Sequence, residues 1–241
     1  MILTEDEVIK ELEKKANPEK AIILQRFFKT GIGEYGEGDI FLGIVMPEIR
    51  IIAKKYRDLD FEGIQKLIYH SYHEVRMCGF LILVYQYQYT KSPIDHQKLY
   101  EFYLTHAKQA NNWDLVDVTC RDVIGSWLLE QNDRSVLDSL ARSSNLWVQR
   151  ISIISTWAFI RKSQLEDTLR ISRILLSHPH DLIHKAVGWM LREVGKKDRN
   201  TLLSFLDRYG SEMSRTTLRY AIERLSPDLR NFYLRTKHEK I

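Results

Sequence analysis

Leu165-Glu166-Asp167-Thr168-Leu169-Arg170-Ile171-Ser172-Arg173-Ile174-Leu175-Leu176 sets its apolar residues three and four positions apart. That spacing lines one face of an α-helix, whereas a half-buried strand needs every second residue apolar. Leu202, Leu203, Phe205 and Leu206 follow the same rule. Outward from these stretches stand helix-start marks. Asn17-Pro18, Ser92-Pro93 and Ser226-Pro227 each place a capping side chain before a proline at the first helical position. Met46-Pro47 and His178-Pro179 precede helical patterns with poorer caps, so all five prolines read as helix starts. Glycine is scarce, at 11 of 241 residues, and a sheet protein of this length needs more turns. No stretch gives a strand-turn-strand signal. The expected fold class is all-α.

A run of short helices raises the question of repeats. A weak register of roughly 35 residues joins five helices. They carry His73-Glu74-Val75-Arg76, Asn112-Trp113-Asp114-Leu115, Trp147-Val148-Gln149-Arg150, His184-Lys185-Ala186-Val187 and Thr217-Leu218-Arg219-Tyr220. Connecting helices fall between them, as at Ile94 to Ala110 and Leu165 to Leu176. The pattern predicts a HEAT-like α-solenoid of stacked antiparallel helix pairs, each burying its apolar face against its neighbours. One helix of each pair would line a concave face. The sequence reads as a single domain over 1–241, with no linker.

Composition narrows the function classes. Hydrophobic residues make up 44% and charged residues 28%, which excludes wholesale disorder. A net charge of +4 permits a polyanionic partner without requiring one. Cys78 and Cys120 form no CxxC pair and read as buried structural thiols. The eight histidines lack metal-ligand spacing, and no Ser-His-Asp or Cys-His arrangement stands out. No metal and no cofactor are therefore expected. Met1 to Glu7 lacks the basic-then-apolar order of a signal peptide. The longest apolar run, Gly79 to Tyr85, falls short of the ~20 residues that cross a bilayer. A cytoplasmic protein is expected. Gly31-Ile32-Gly33-Glu34-Tyr35-Gly36-Glu37-Gly38-Asp39, running on to Gly43, resembles a phosphate cradle only superficially. No strand precedes it, no Lys-Ser/Thr follows, and Glu34, Glu37 and Asp39 would repel phosphate. It reads as an ordered loop.

On the register, Arg76, Arg150, Lys185 and Arg219 fall at or near equivalent places. A row of cations along one face matches a phosphate backbone, where each neutralised phosphate releases counterions. Ordinary solvated Lys and Arg would look the same on any one helix. One helix breaks the row with Trp113 and Asp117, four residues apart and so on one face. A carboxylate in a cationic groove opposes polyanion binding. It is either an ion-pair partner for Arg150 or Lys185, or a stabiliser of positive charge developing on a substrate. Lys185 and Trp189 repeat the spacing, with Arg192 three further on. Two tryptophans flanking a carboxylate would form an aromatic cleft for a cationic ligand. Trp127, Trp147 and Trp157 read as core.

These residues resemble the bacterial DNA alkylation repair family, the AlkD-type DNA glycosylases. The matching strings begin with Gly33-Glu34-Tyr35-Gly36-Glu37-Gly38-Asp39, Phe41-Leu42-Gly43-Ile44 and Pro47-Glu48-Ile49-Arg50-Ile51-Ile52-Ala53-Lys54. They continue through His73-Glu74-Val75-Arg76, Asn112-Trp113-Asp114-Leu115-Val116-Asp117 and Trp147-Val148-Gln149-Arg150. Lys185 to Glu193 and Leu218 to Glu223 complete the set, in order over nearly the whole chain. The resemblance implies a concave basic face that binds duplex DNA as a monomer. It implies hydrolysis of the N-glycosidic bond of cationic alkylpurines such as 3-methyladenine and 7-methylguanine, without flipping the base into a pocket as glycosylases usually do. By the same resemblance, Asp117 is the catalytic carboxylate, Trp113 and Trp189 are cleft residues at the damaged nucleotide, and Arg150 contacts phosphate. Arg76, Lys185, Arg192 and Arg219 are the further DNA-binding candidates. Two other readings stay open: a non-catalytic binder of bent or branched nucleic acid using the same groove, and a protein-interaction scaffold.

Overall fold

The computed structural model describes residues 3–236. Met1 and Ile2, part of the stretch read against a signal peptide, lie outside the described residues, as do 237–241. Regular structure among the described residues is helical, and the one β-type contact among them is a single parallel bridge between Ile40 and Tyr72. The chain divides into two compact units, the first ending at Val123 and the second beginning at Ile124. That division falls inside a π-helical turn, Arg121–Gly125.

The first unit holds α1 (Glu5–Glu13), α2 (Pro18–Phe27), α3 (Met46–Lys55), α4 (Phe61–Ile68), α5 (His73–Tyr89), α6 (Pro93–Thr105) and the short α7 (Trp113–Asp117). Its core is α5, buried from His73 to Val84 and packed on α3, α4, α6 and α7. The second unit holds α8 (Ser126–Leu129), α9 (Val136–Ala141), α10 (Leu146–Ser155), α11 (Trp157–Arg161), α12 (Glu166–Ile174), α13 (Asp181–Lys197), α14 (Arg199–Tyr209), α15 (Arg215–Ala221) and α16 (Pro227–Thr236). There α10 packs on α13 and α13 on α15, so the helices of the register are each other's neighbours.

Local chemistry explains the helix ends. Asn17 accepts from the Lys20 amide at 3.0 Å and Ser92 from the Asp95 amide at 3.2 Å, each just ahead of a proline. Pro179 is a correction: it stands two residues ahead of α13, whose cap is the His180 ring, accepting from the Leu182 amide at 3.1 Å. In α12 the period holds but the buried face runs through Leu165, Thr168, Ile171, Ser172 and Leu175. Leu169 and Ile174 lie half-buried on its flanks. Cys78 and Cys120 are fully buried, and burial pushes the Cys78 thiol up.

Counting from the N-caps sharpens the register. The residue five past the cap is Asp117 after Asn112, Arg150 after Asn145, Lys185 after His180 and Arg219 after Ser214. In α5 that place belongs to Met77, because Arg76 lies only four past Tyr72. One residue is about 100° of helix rotation, so Arg76 stands off the row; it is buried at 5% exposure, as Arg150 on the row also is. The row runs Arg150, Lys185, Arg219, and Asp117 takes the same place on its own helix.

Close approach of α13 to α15 depends on Gly188. A Cβ there would stand 2.5 Å from Tyr220 Cβ and 2.6 Å from the Thr217 carbonyl oxygen. Gly188→Ala gains ~1 kcal/mol of helix propensity but forces a backbone oxygen aside, at a cost toward the upper end of ~1–3 kcal/mol. The expected result is a net loss of about 2 kcal/mol, read by denaturant unfolding. An unchanged midpoint would mean that the two helices separate freely.

Candidate active site

The start of α5 straps the glycine-rich loop to the first unit. Glu74 is 1% exposed. Its carboxylate accepts three successive backbone amides, from Leu42 and Gly43 at 2.8 Å each and from Ile44 at 3.1 Å. The His73 amide donates to the Ile40 carbonyl at 2.8 Å. Gly43 has φ +85, and a Cβ there would lie 2.1 Å from the Asn17 carbonyl oxygen; only glycine fits. Glu34 and Glu37 accept from the Gly31 and Gly33 amides at 3.0 and 2.9 Å. The loop is ordered, and its acidic residues hold it together.

His73 lies between two carboxylates. Its Nδ1 is 2.8 Å from Asp39 and its Nε2 2.9 Å from Asp114. Both nitrogens need protons to serve both acceptors. Arg76 donates to Asp39, to Asn111 at 3.2 Å, and to the His70 and Ser71 carbonyls at 2.9 and 3.0 Å. Its fork is thus committed within the protein. Burial pushes the His73 pKa down, but Asp114 and Asp39 outweigh it and raise the value to about 9. For Asp39, burial pushes up and the two cations win, holding it below the usual range. A raised histidine stabilises the fold fully below its ordinary pKa near 6.5, and that stabilisation is lost as pH rises toward about 9. Wild type should therefore lose up to about 3 kcal/mol between pH 6 and 9.5, and His73→Gln should show a much smaller slope. Parallel slopes in denaturant melts of the two proteins would contradict this.

These contacts position α7. Asn112, fully buried, accepts from the Trp113 amide at 2.8 Å, and Asp114 accepts from the Leu115 amide at 2.8 Å. Trp113 is half-buried and stacks on Phe28 at 5.1 Å and 22°, with Phe27 edge-on at 5.9 Å. Phe28 stacks on Phe41 at 5.0 Å, and Phe41 on His73 at 4.4 Å. Beside this column opens a cavity of about 510 Å³, lined by Leu24, Phe27, Ile44, Ile49, Met77 and Trp113 among others. Asp117 is half-buried, one turn beyond Trp113 on the same helix. The pair Trp113 and Asp117 is the part of the expected site that one unit holds by itself. Phe27, Phe28, Phe41, Glu74 and Asp114 support it and were not singled out by sequence reasoning.

The second unit carries the other candidates. Trp189 is half-buried, edge-on to Trp157 at 5.3 Å. Trp147 lies in the core at 7% exposure, while Trp127 and Trp157 are half-buried. Arg150 is buried, and one of its amino groups donates to the Leu182 carbonyl near the start of α13. Lys185 is half-buried and pairs with Asp181 at 2.8 Å. Arg192 pairs with Glu223, and with Glu193 at 3.4 Å. Arg219 is exposed. Among the described residues no group of three or more His, Cys, Asp or Glu is placed to hold a metal ion, and no helix is long and apolar enough to cross a membrane.

Comparison with known proteins bears on this geometry. The family model described as DNA alkylation repair enzyme matches residues 8–225, across both units. A solved structure of a predicted DNA alkylation repair enzyme from Enterococcus faecalis shares the fold with a TM-score of 0.68. It is 18% identical, and the match covers 88% of this chain and 98% of that one. Comparison with curated proteins finds no match.

Proposed function

We propose that this chain, which belongs to the DNA alkylation repair enzyme family, is a DNA glycosylase hydrolysing the N-glycosidic bond of cationic alkylpurines in duplex DNA. 3-Methyladenine and 7-methylguanine are the substrates meant. The observation that carries the reading is α7, where a braced indole and a carboxylate share one helical turn. Asp117 sits where three other helices of the register carry cations, a placement that opposes simple phosphate binding.

The chemistry needs little more. A ring-alkylated purine carries positive charge and leaves neutral, so no general acid has to protonate it. One carboxylate then suffices where glycoside hydrolysis ordinarily uses two. As the bond breaks, positive charge moves onto the sugar. Asp117 would stabilise that charge and hold the attacking water. Trp113 in the first unit and Trp189 in the second would offer π faces to the cationic nucleotide.

Lys185 and Arg219 are the cations assigned to phosphate, setting position without reading sequence. Arg150 and Arg192 would exchange protein partners for phosphate oxygens. Arg76, the remaining candidate, would have to give up Asp39, Asn111 and two backbone carbonyls to do the same. The reading extends to a HEAT-like solenoid with a basic face, acting as a cytoplasmic monomer without metal or cofactor.

The test is release of free base from methylated duplex DNA, measured against spontaneous depurination. Release above that background is expected. Tight, salt-sensitive binding without release would overturn the reading in favour of a non-catalytic binder.

A further inference from the structure

We infer that His73 is a positioning residue for base excision, holding Trp113 and the turn that carries Asp117 in the pose the reaction uses. This rests on the glycosylase reading above. α7 spans five residues, Trp113–Asp117, too few to keep a helix in place by itself. Outside contacts set its pose, and two chains of contact lead to it from the same imidazole.

The first is ionic. His73 Nε2 lies 2.9 Å from Asp114, the residue directly after Trp113, and Asp114 in turn accepts from the Leu115 amide. The second runs through rings. His73 lies on Phe41 at 4.4 Å and 20°, Phe41 on Phe28 at 5.0 Å and 17°, and Phe28 on Trp113 at 5.1 Å and 22°. The indole is thus fixed through its backbone and through its face. On the far side Nδ1 is anchored 2.8 Å from Asp39, which Arg76 also holds.

A neutral imidazole carries one N–H and can donate to only one of the two carboxylates. The unprotonated nitrogen would then face the lone pairs of the other. Loss of the proton, at about pH 9, therefore undoes either the anchor at Asp39 or the link to Asp114. The charged groups in this balance are Asp39 from the loop and Asp114 from α7, both on His73, and Arg76 of α5, which shares Asp39 with it.

The experiment measures single-turnover base release and duplex affinity from pH 6.5 to 10, for wild type, His73→Gln and Phe41→Leu. Small displacements of catalytic groups are costly, so His73→Gln should release base about tenfold more slowly at pH 7, with duplex affinity little changed. Wild type should show a falling limb near pH 9; the variant should lack it. Phe41→Leu should slow release and keep the limb, because the ionic link survives. A folded His73→Gln at the wild-type rate, or one retaining the limb, overturns the inference. If His73→Gln does not fold, the wild-type limb and Phe41→Leu decide.

A second readout needs no catalysis: the fluorescence difference between wild type and Trp113→Phe, titrated without DNA. It should shift near pH 9. A shift with no base release from wild type sinks the glycosylase reading and the role in excision with it, and leaves only the hold of His73 on the pose of Trp113. Release with neither shift nor limb does the reverse.

Discussion

Asp117→Asn should slow base release from methylated duplex DNA by a factor of about 100 to 1,000, with duplex affinity unchanged or slightly raised. The amide is nearly the same size as the carboxylate, so α7 and the Trp113 stack stay in place and the charge alone changes. A unit charge 4 Å from the developing sugar cation is worth about 4 kcal/mol at the screening typical near a protein surface. At ~1.4 kcal/mol per decade, that corresponds to roughly three orders of magnitude. The observed ratio is capped below this figure because cationic purines also depart spontaneously, which sets a floor under the variant. Removing a negative charge from the helix proposed to face DNA favours polyanion binding, so weaker affinity is not expected. Single-turnover release with parallel binding measurements separates the two effects. Equal release by wild type and variant would remove Asp117 from the chemistry and leave its ion-pair role as the account of it.

How far the site could be seen in the sequence depends on helix phase. Asn112, Asn145 and Ser214 are capping residues, so the starts of α7, α10 and α15 are marked, and Asp117, Arg150 and Arg219 can be aligned from them. The start of α5 is unmarked: its cap is Tyr72, with no side-chain bond to the helix. Without a marked start the phase is uncertain by one residue, which is why the sequence does not separate Arg76, four past its cap, from the cations five past theirs.

The partners of His73 and Glu74 were hidden for another reason. They lie 30 or more residues away, at Asp39, Leu42, Gly43, Ile44 and Asp114, and spacing carries no information at that range. One signal was present. Three ionisable residues, His73, Glu74 and Arg76, open a helix that is apolar from Met77 to Val84, and charges so close to a core require partners. The acidic loop needs just such partners. Its acids, Glu34, Glu37 and Asp39, argue against phosphate in the sequence, and the structure shows what they serve instead.

Glu74→Ala should be the most damaging single change in the first unit, costing about 5 kcal/mol. Three buried amides lose their only acceptor, and each orphaned donor carries a desolvation penalty of ~1–3 kcal/mol. Water can offset part of this if it enters the space left by the carboxylate, which keeps the sum below its maximum. Glu74→Gln separates the terms. Its carbonyl oxygen can still accept from two amides, while its NH₂ group faces the third donor, so a loss of about 2–3 kcal/mol is expected.

The damage should be local as well as global. Phe41 and Ile44 lie in or beside the segment Glu74 holds, and both line the cavity next to Trp113. Proteolysis of the loop should therefore accelerate at denaturant concentrations where the rest of the unit stays folded. If Glu74→Ala unfolds within about 1 kcal/mol of wild type, water replaces the carboxylate without penalty. The loop is then held by Asp39 with His73 and Arg76, and the strap has one anchor fewer than the geometry indicates.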